Sequence, residues 1–247
     1  MSVFFARRGT DTPSILASDV PVGSSVFLRE NGALAEYLVV HQGNPDASLY
    51  DSSCNGTWLL RKDIKEKRAW HSTNVNDYAN STIHAYLNAD YLALFDSETQ
   101  NSIKTVKVPY RPGSGTSTTI NSGSSGLSAK IFLLSGYEVG FTTSVNPYFP
   151  VDGAKLDYFV SGNDAAAQAK RIAYLNGTAD IWWFRSPDAR NSTSAWVAIA
   201  DGNYGAGYRA TNAYGVRPAL ILSSTALFDP TTKELKEAGL THAASVV

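Results

Sequence analysis

Trp182-Trp183-Phe184-Arg185-Ser186-Pro187 and Gly215-Val216-Arg217-Pro218-Ala219-Leu220 bracket the stretch whose reading decides the fold. Both ends are apolar and rich in strand-favouring residues. Between them, Asp201-Gly202-Asn203-Tyr204-Gly205-Ala206-Gly207-Tyr208-Arg209-Ala210-Thr211-Asn212-Ala213-Tyr214 is a run of small residues, Asn and Tyr. The layout reads as a stiff frame that carries a display surface. Tyr brings large amphipathic contact area at low entropy cost, and Ser, Gly and Asn bring adaptable hydrogen bonding, as in antibody paratopes. Adjacent strand residues face opposite ways, so at least one of Trp182 and Trp183 belongs to the core. Arg185 and Arg217 are read as buried or half-buried ion pairs that fix the frame.

Outward from this stretch, strands are expected at about 181–185, 195–200 and 216–222. Upstream, Val26-Phe27-Leu28-Arg29 and Glu36-Tyr37-Leu38-Val39-Val40-His41 flank Asn31-Gly32. Asn-Gly between β-prone runs favours a tight hairpin turn, because both residues tolerate positive φ. Thr57-Trp58-Leu59-Leu60-Arg61 reads as a third strand. Ile83, Tyr86, Leu87, Tyr91, Leu94 and Phe95 recur at helical spacing and form one apolar stripe. Ser97-Glu98-Thr99-Gln100 has capping-box spacing, so a second short helix is expected there. Val106-Lys107-Val108 and Lys130-Ile131-Phe132-Leu133-Leu134-Ser135 read as strands, separated by a Gly/Ser/Thr loop from Gly113 to Gly126 expected to be flexible. Ala165–Arg171 reads as a short helix or ordered loop. The sum is α+β, with short antiparallel sheets, a helical block near residues 78–104 and long loops. Residues 1–21 read as an arm, 22–228 as the domain with a candidate variable segment at 188–214, and 229–247 as a fraying tail.

The composition is that of a folded chain: of 247 residues, 43% are hydrophobic, 11% aromatic and 17% charged. Low charge and abundant Ser, Thr, Asn, Gly and Tyr suit an extracellular or virion surface. A formal net charge of −1 gives no electrostatic case for nucleic acid or an acidic membrane. Cys54 is the only cysteine, which excludes an internal disulfide and the paired-cysteine zinc and redox motifs. Apolar runs are too short for a membrane-spanning helix. The apolar part of Met1–Arg8 is too short for a signal peptide, so synthesis in a cytoplasm is expected, with exit inside a particle such as a virion. The sequons at Asn55, Asn80, Asn176 and Asn191 are read as products of a polar-rich composition.

Catalytic patterns are missing: there is no phosphate-binding Gly-rich loop, no HExxH, no GxSxG and no dinucleotide fingerprint. His41, His71, His84 and His242 are scattered; His41 is read as structural and His84 as solvent-facing. Cys54 lies in Asp51-Ser52-Ser53-Cys54-Asn55-Gly56 without an evident base, and is read as inert. Asp152-Gly153 and Asp201-Gly202 are read as turns. Neither a cofactor nor a metal is expected, and no catalytic residue is assigned.

Gly23-Ser24-Ser25-Val26, Trp58-Leu59-Leu60, the block from Tyr78 to Asn88, Lys130–Ser135, Trp182–Pro187 and Gly215–Leu220 occur in that order. Together, over roughly residues 22–222, they resemble a widespread family of domains in phages, prophages and gut bacteria. That family is similar to the C-type-lectin-like variable proteins of diversity-generating retroelements. The resemblance implies a C-type-lectin-like fold and a receptor- or ligand-binding role on a phage or prophage tail. It implies that a C-terminal segment is rewritten at adenine positions. The binding positions so implied are Asn191, Ala195, Trp196, Asn203, Tyr204, Ala206, Tyr208, Arg209, Ala210, Asn212 and Ala213. The implied partner is a host-surface protein or glycan, alongside virion or tail proteins, and a homo-oligomer, a trimer, is expected. Two alternatives stay open: a non-diversified structural or accessory domain of a tail or cell-surface assembly, and, less favoured, a polysaccharide-acting enzyme.

Overall fold

Ten strands build two five-stranded sheets in the computed structural model, which describes residues 13–113 and 119–236. In chain order they are β1 (Ser25–Glu30), β2 (Ala33–Gly43), β3 (Gly56–Arg61), β4 (Glu66–Ala69), β5 (Ile131–Phe132), β6 (Trp182–Pro187), β7 (Ser194–Ala198), β8 (Tyr204–Arg209), β9 (Ala213–Val216) and β10 (Ala219–Leu222). The first sheet has the order β1-β2-β3-β10-β5, antiparallel throughout. The second has the order β8-β7-β6-β9-β4, with β6 and β9 parallel and the other neighbours antiparallel. Three short helices join them: α1 (Thr82–Tyr86), α2 (Ser97–Ser102) and α3 (Ala165–Arg171). The fold is mixed α+β, mostly strands.

The β1–β2 turn behaves as its dipeptide dictates. Asn31 and Gly32 have φ of 50° and 79°, and Glu30 pairs directly with Ala33. The Gly215–Leu220 stretch does not form the single strand expected at 216–222. β9 ends at Val216 in the second sheet and β10 begins at Ala219 in the first. Arg217-Pro218 passes the chain between sheets. Pro218 has no N–H for a ladder, while its carbonyl accepts from Arg61 N at 2.9 Å.

Both sheets contribute to both hydrophobic cores, because strand residues alternate in direction. Trp183, Ala195, Val197 and Val216 meet Val39, Leu59, Leu220 and Leu222 in one core. Trp182, Phe184, Trp196 and Ala198 meet Leu38, Val40, Trp58 and Leu60 in the other. The helical stripe closes the first core: Ile83, Leu87, Tyr91 and Phe95 are buried there, with Tyr86 and Leu94 packed against them. α1 passes into a π turn at Leu87–Tyr91 and a 3-10 turn at Leu92–Leu94. The segment from Leu133 to Phe159 supplies Val139, Phe141, Phe149 and Leu156 to the second core.

Several details differ from the sequence expectation. α2 is capped by Asp96, whose carboxylate accepts from Thr99 N at 2.7 Å; Ser97 is the first helical residue. His84 is half-buried against the Tyr78 ring at 5.3 Å, and burial lowers its pKa. The supposed arm is partly domain: Ile15–Leu16 pairs with Leu227–Phe228, and Ala17 and Val20 are core residues. The supposed tail is held as far as Lys236, with Leu235 N donating to Phe27 O at 2.9 Å. Within the Gly/Ser/Thr loop, Asn121 and Tyr110 exchange two backbone hydrogen bonds. Residues 1–12, 114–118 and 237–247, which include His242 and most of the expected arm, lie outside the described residues. Among the described residues no helix is long and apolar enough to cross a membrane.

Candidate functional site

The frame is built first from indoles. Trp182 and Trp183 are both fully buried, and each indole N–H is satisfied. Trp182 donates to Arg171 O at 2.8 Å and Trp183 to Arg68 O at 3.0 Å. Gly215 has no room for a side chain, since a Cβ would lie 2.5 Å from Ile181 O. That close approach is what sets β9 beside β6.

Arg185 is fully buried and forms the expected ion pair. Its Nη1 and Nη2 donate to the two carboxylate oxygens of Glu138 at 2.6 and 2.7 Å. Its remaining hydrogens go to Pro109 O, Leu133 O and Asp152 O. Glu138 also accepts from Tyr50 OH at 2.8 Å and Ser135 N at 2.8 Å. A buried pair is tolerated when its other lone pairs and protons are matched in this way. Burial alone would pull the Arg185 pKa down; the Glu138 charge outweighs it and raises the value.

Asp152, in place of the turn position expected from Asp152-Gly153, is fully buried beside this pair. Its carboxylate accepts from Ser186 Oγ at 2.8 and 3.0 Å, and Ser186 Oγ accepts from Gly136 N at 2.9 Å. Burial pushes the Asp152 carboxyl up to about 7, against the opposing pull of Arg185. Arg217 corrects the second ion-pair expectation. It is buried, lies 4.9 Å from the Trp182 ring and donates to Arg61 O at 2.9 Å, and forms no ion pair among the described residues. Desolvation lowers it to about 10. Packing and one carbonyl bond hold this arginine, not a carboxylate.

The segment 188–214 grows out of the frame as two turns and a hairpin. Asn76 latches the first turn: its Nδ2 donates to Asp188 O, Asn191 O and Ser194 O at 3.2, 3.0 and 2.8 Å. Gly202, at φ 83°, makes the β7–β8 turn; a Cβ there would meet Gln168 O at 2.1 Å. β8 is then the edge strand of the second sheet. His71 N donates to Ala210 O and Thr211 Oγ1 to Asn74 Oδ1, both at 2.9 Å, which fastens the β8–β9 turn to residues 71–74.

The predicted binding positions separate into three groups. Asn191, Arg209, Asn212 and Ala213 are exposed. Asn203, Tyr204, Ala206 and Tyr208 are half-buried. Ala195, Trp196 and Ala210 are fully buried and touch no solvent. Those three are corrected: strand alternation turns Ala195 and Trp196 into the two cores, and the turn after β8 folds Ala210 into the first core, where no ligand reaches them. The tyrosines are anchored instead of free. Tyr204 packs edge-on against Phe141, Phe149 and Trp196 at 5.7–5.9 Å. Tyr208 meets Tyr214 at 5.1 Å, and Tyr214 meets Trp183 at 5.1 Å. This aromatic pile runs from core to surface. It opens at a shallow concavity of about 430 Å³ formed by Ala206, Gly207, Tyr208, Arg209, Asn212 and Tyr214.

A second, apolar pocket of about 430 Å³ lies near the first turn of the segment, and its composition gave no signal in the sequence. Tyr148, Phe149, Pro150, Val151 and Ala189 form its wall, with Arg111 and Arg190 on it. Phe149 stacks on Trp196 at 3.9 Å, and Arg190 sits 4.5 Å over the Tyr148 ring.

The remaining titratable candidates, Cys54 and His41, are buried. Cys54 is buried, donates to Lys107 O at 3.2 Å, and is pushed up to about 12 by burial. His41 is buried edge-on to Trp58 at 6.4 Å, with Nδ1 2.8 Å from Asp157. Among the described residues no three His, Cys, Asp or Glu side chains gather as a metal site.

A family described as a domain of unknown function, DUF6273, matches residues 55–224. Neither the curated proteins nor the solved structures contain a match to the chain.

Proposed function

The chain belongs to the DUF6273 family, and from that premise we propose that it is a ligand- or receptor-binding display protein of C-type-lectin-like architecture, associated with a phage or prophage tail. Its recognition face is the edge strand β8 with the turn that follows it, and retroelement-driven variation is the source of its side chains. One observation carries this reading: the Asn/Tyr/Arg-rich run folds as an edge strand and turn that leave part of their side chains exposed. Its exposed side chains, Arg209, Asn212 and Ala213, stand around tyrosines held by the frame. Rigid aromatic anchors beside adaptable polar groups are the division of labour that a changing interface needs. The partner this chemistry fits is a host-surface protein or glycan.

Sequencing the gene across many isolates, together with its flanking DNA, tests the proposal. Variation should concentrate at Asn203, Arg209, Asn212 and Ala213 and spare Ala195, Trp196 and Ala210, beside a reverse transcriptase and a near-copy of the segment. An invariant segment with no such copy contradicts retroelement diversification and favours the non-diversified structural domain.

A further inference from the structure

The turn after β8 does not stand alone. Three segments meet there, and one of them, residues 71–76, lies more than 100 residues earlier in the chain than the 188–194 turn. His71 N donates to Ala210 O and Thr211 Oγ1 to Asn74 Oδ1, both at 2.9 Å. Asn76 N donates to Ser192 O at 2.9 Å, while its side chain holds the carbonyls of Asp188, Asn191 and Ser194. Ala210 N closes the ring by donating to Thr193 O at 2.9 Å. The backbone of Asn76 is packed against Gly113, where a Cβ would lie 2.0 Å from Asn76 O. Loop 71–76 is thus fixed at both ends between the 188–194 turn and the turn after β8.

Within this loop Ser72, Thr73, Asn74 and Val75 are exposed, and Asn76 is buried. Their neighbours in the two turns, Asn191, Ser192, Thr211 and Asn212, are exposed as well. The hydrogen bonds between the three segments gather these side chains into one patch. Its chemistry is hydroxyls and amides around one isopropyl group, that of Val75, 38% exposed. An apolar spot inside a polar rim is the layout of a protein–protein interface. Size argues the same way. A folded protein partner needs about 800 Å² and roughly 20–30 residues on each side. The concavity beside β8 is lined by six of the described residues, too few by themselves. Loop 72–75 and the 188–194 turn extend it toward the required size.

Resting on the reading of β8 and its turn as a display surface, we propose that Ser72, Thr73 and Val75 form a second part of it. They touch the same partner as Arg209 and Asn212, and that partner is the surface of a folded protein. The test displays the full chain with Asn203, Arg209, Asn212 and Ala213 randomised. Selection runs against egg-white lysozyme and, in parallel, against immobilised dextran. Lysozyme binders should emerge. Adding Thr73→Arg or Val75→Asp to them should weaken binding about tenfold or more in most independent clones. Melting temperatures should stay unchanged, because both positions are exposed. Leu34→Asp, also at an exposed apolar position but on the β1–β2 hairpin of the other sheet, should leave binding as it was. Three results overturn the proposal: lysozyme binders indifferent to residues 73 and 75, an equal loss in Leu34→Asp, or binders to dextran alone. A library with no binder to either target contradicts the display surface itself, and the proposal with it. That failure is distinct from binders that depend on the β8 turn and ignore the 72–75 loop.

Discussion

β6 and β8 belong to one sheet, two strands apart, yet every residue of β6 is buried while β8 buries only Gly205 and leaves the rest half-buried or exposed. β6 has neighbours on both edges and a core on both faces, so its side chains must fill fixed volumes and its polar groups need partners. Arg185 illustrates the demand: each of its three nitrogens has an acceptor. β8 has one free edge. Gly205 and Ala206 keep its inner contacts small, and Arg209 extends into solvent. The comparison teaches that sequence tolerance in this sheet follows strand position, and that it changes within two strands.

The largest effects should fall in β6. Trp183→Ala removes a buried indole that also supports Tyr214, and should cost about 3–5 kcal/mol in chemical denaturation. A cost under about 1 kcal/mol would erase the distinction between the two strands.

Asp152→Asn sharpens the frame side of the comparison through pH. The folded-state pKa of Asp152 is raised to about 7 from 3.8. The native state therefore holds this proton more tightly than the unfolded chain. Its contribution to stability is fully present below about pH 4 and is lost as pH rises through about 7. Relative to wild type, the Asn variant should gain on the order of 2–4 kcal/mol between pH 4 and pH 8. A pH-independent difference would place the carboxyl in a more solvated setting than beside Ser186 and Arg185.

At the boundary, Tyr204→Ala and Tyr208→Ala should each cost about 1–2 kcal/mol, because half of each ring lies on Phe149, Trp196 or Tyr214. The smallest effects belong to Arg209→Ala and Asn212→Ala, each within about 0.5 kcal/mol. Thermal melts of the four variants should rank in that order.

Much of this gradient was legible in the residues. The Asn31-Gly32 hairpin, the apolar stripe from Ile83 to Phe95 and the opposed tryptophans follow from local rules of turn, period and pleat. The α+β mixture follows from their sum. What escaped is non-local. Glu138 and Asp152 are distant in sequence from Arg185 and Ser186, so nothing in the local pattern pairs them. Asn76 latches the 188–194 turn across more than 100 residues. The buried state of Ala195 and Trp196 depends on strand register, and that of Ala210 on how the turn after β8 folds back; alternating small and aromatic residues in this run fit either phase. Arg217-Pro218 could have been flagged, because Pro interrupts any ladder running through it.

Two libraries test the division between frame and display most directly. One randomises Asn203, Arg209, Asn212 and Ala213; the other randomises Ala195, Trp196 and Ala210, in the same segment. Protease resistance of the expressed variants reads the folded fraction. The structure predicts that most members of the first library resist digestion as wild type does, and that few of the second survive. Equal survival of the two would contradict the account, because the segment would then carry no separation between what holds the fold and what faces a partner.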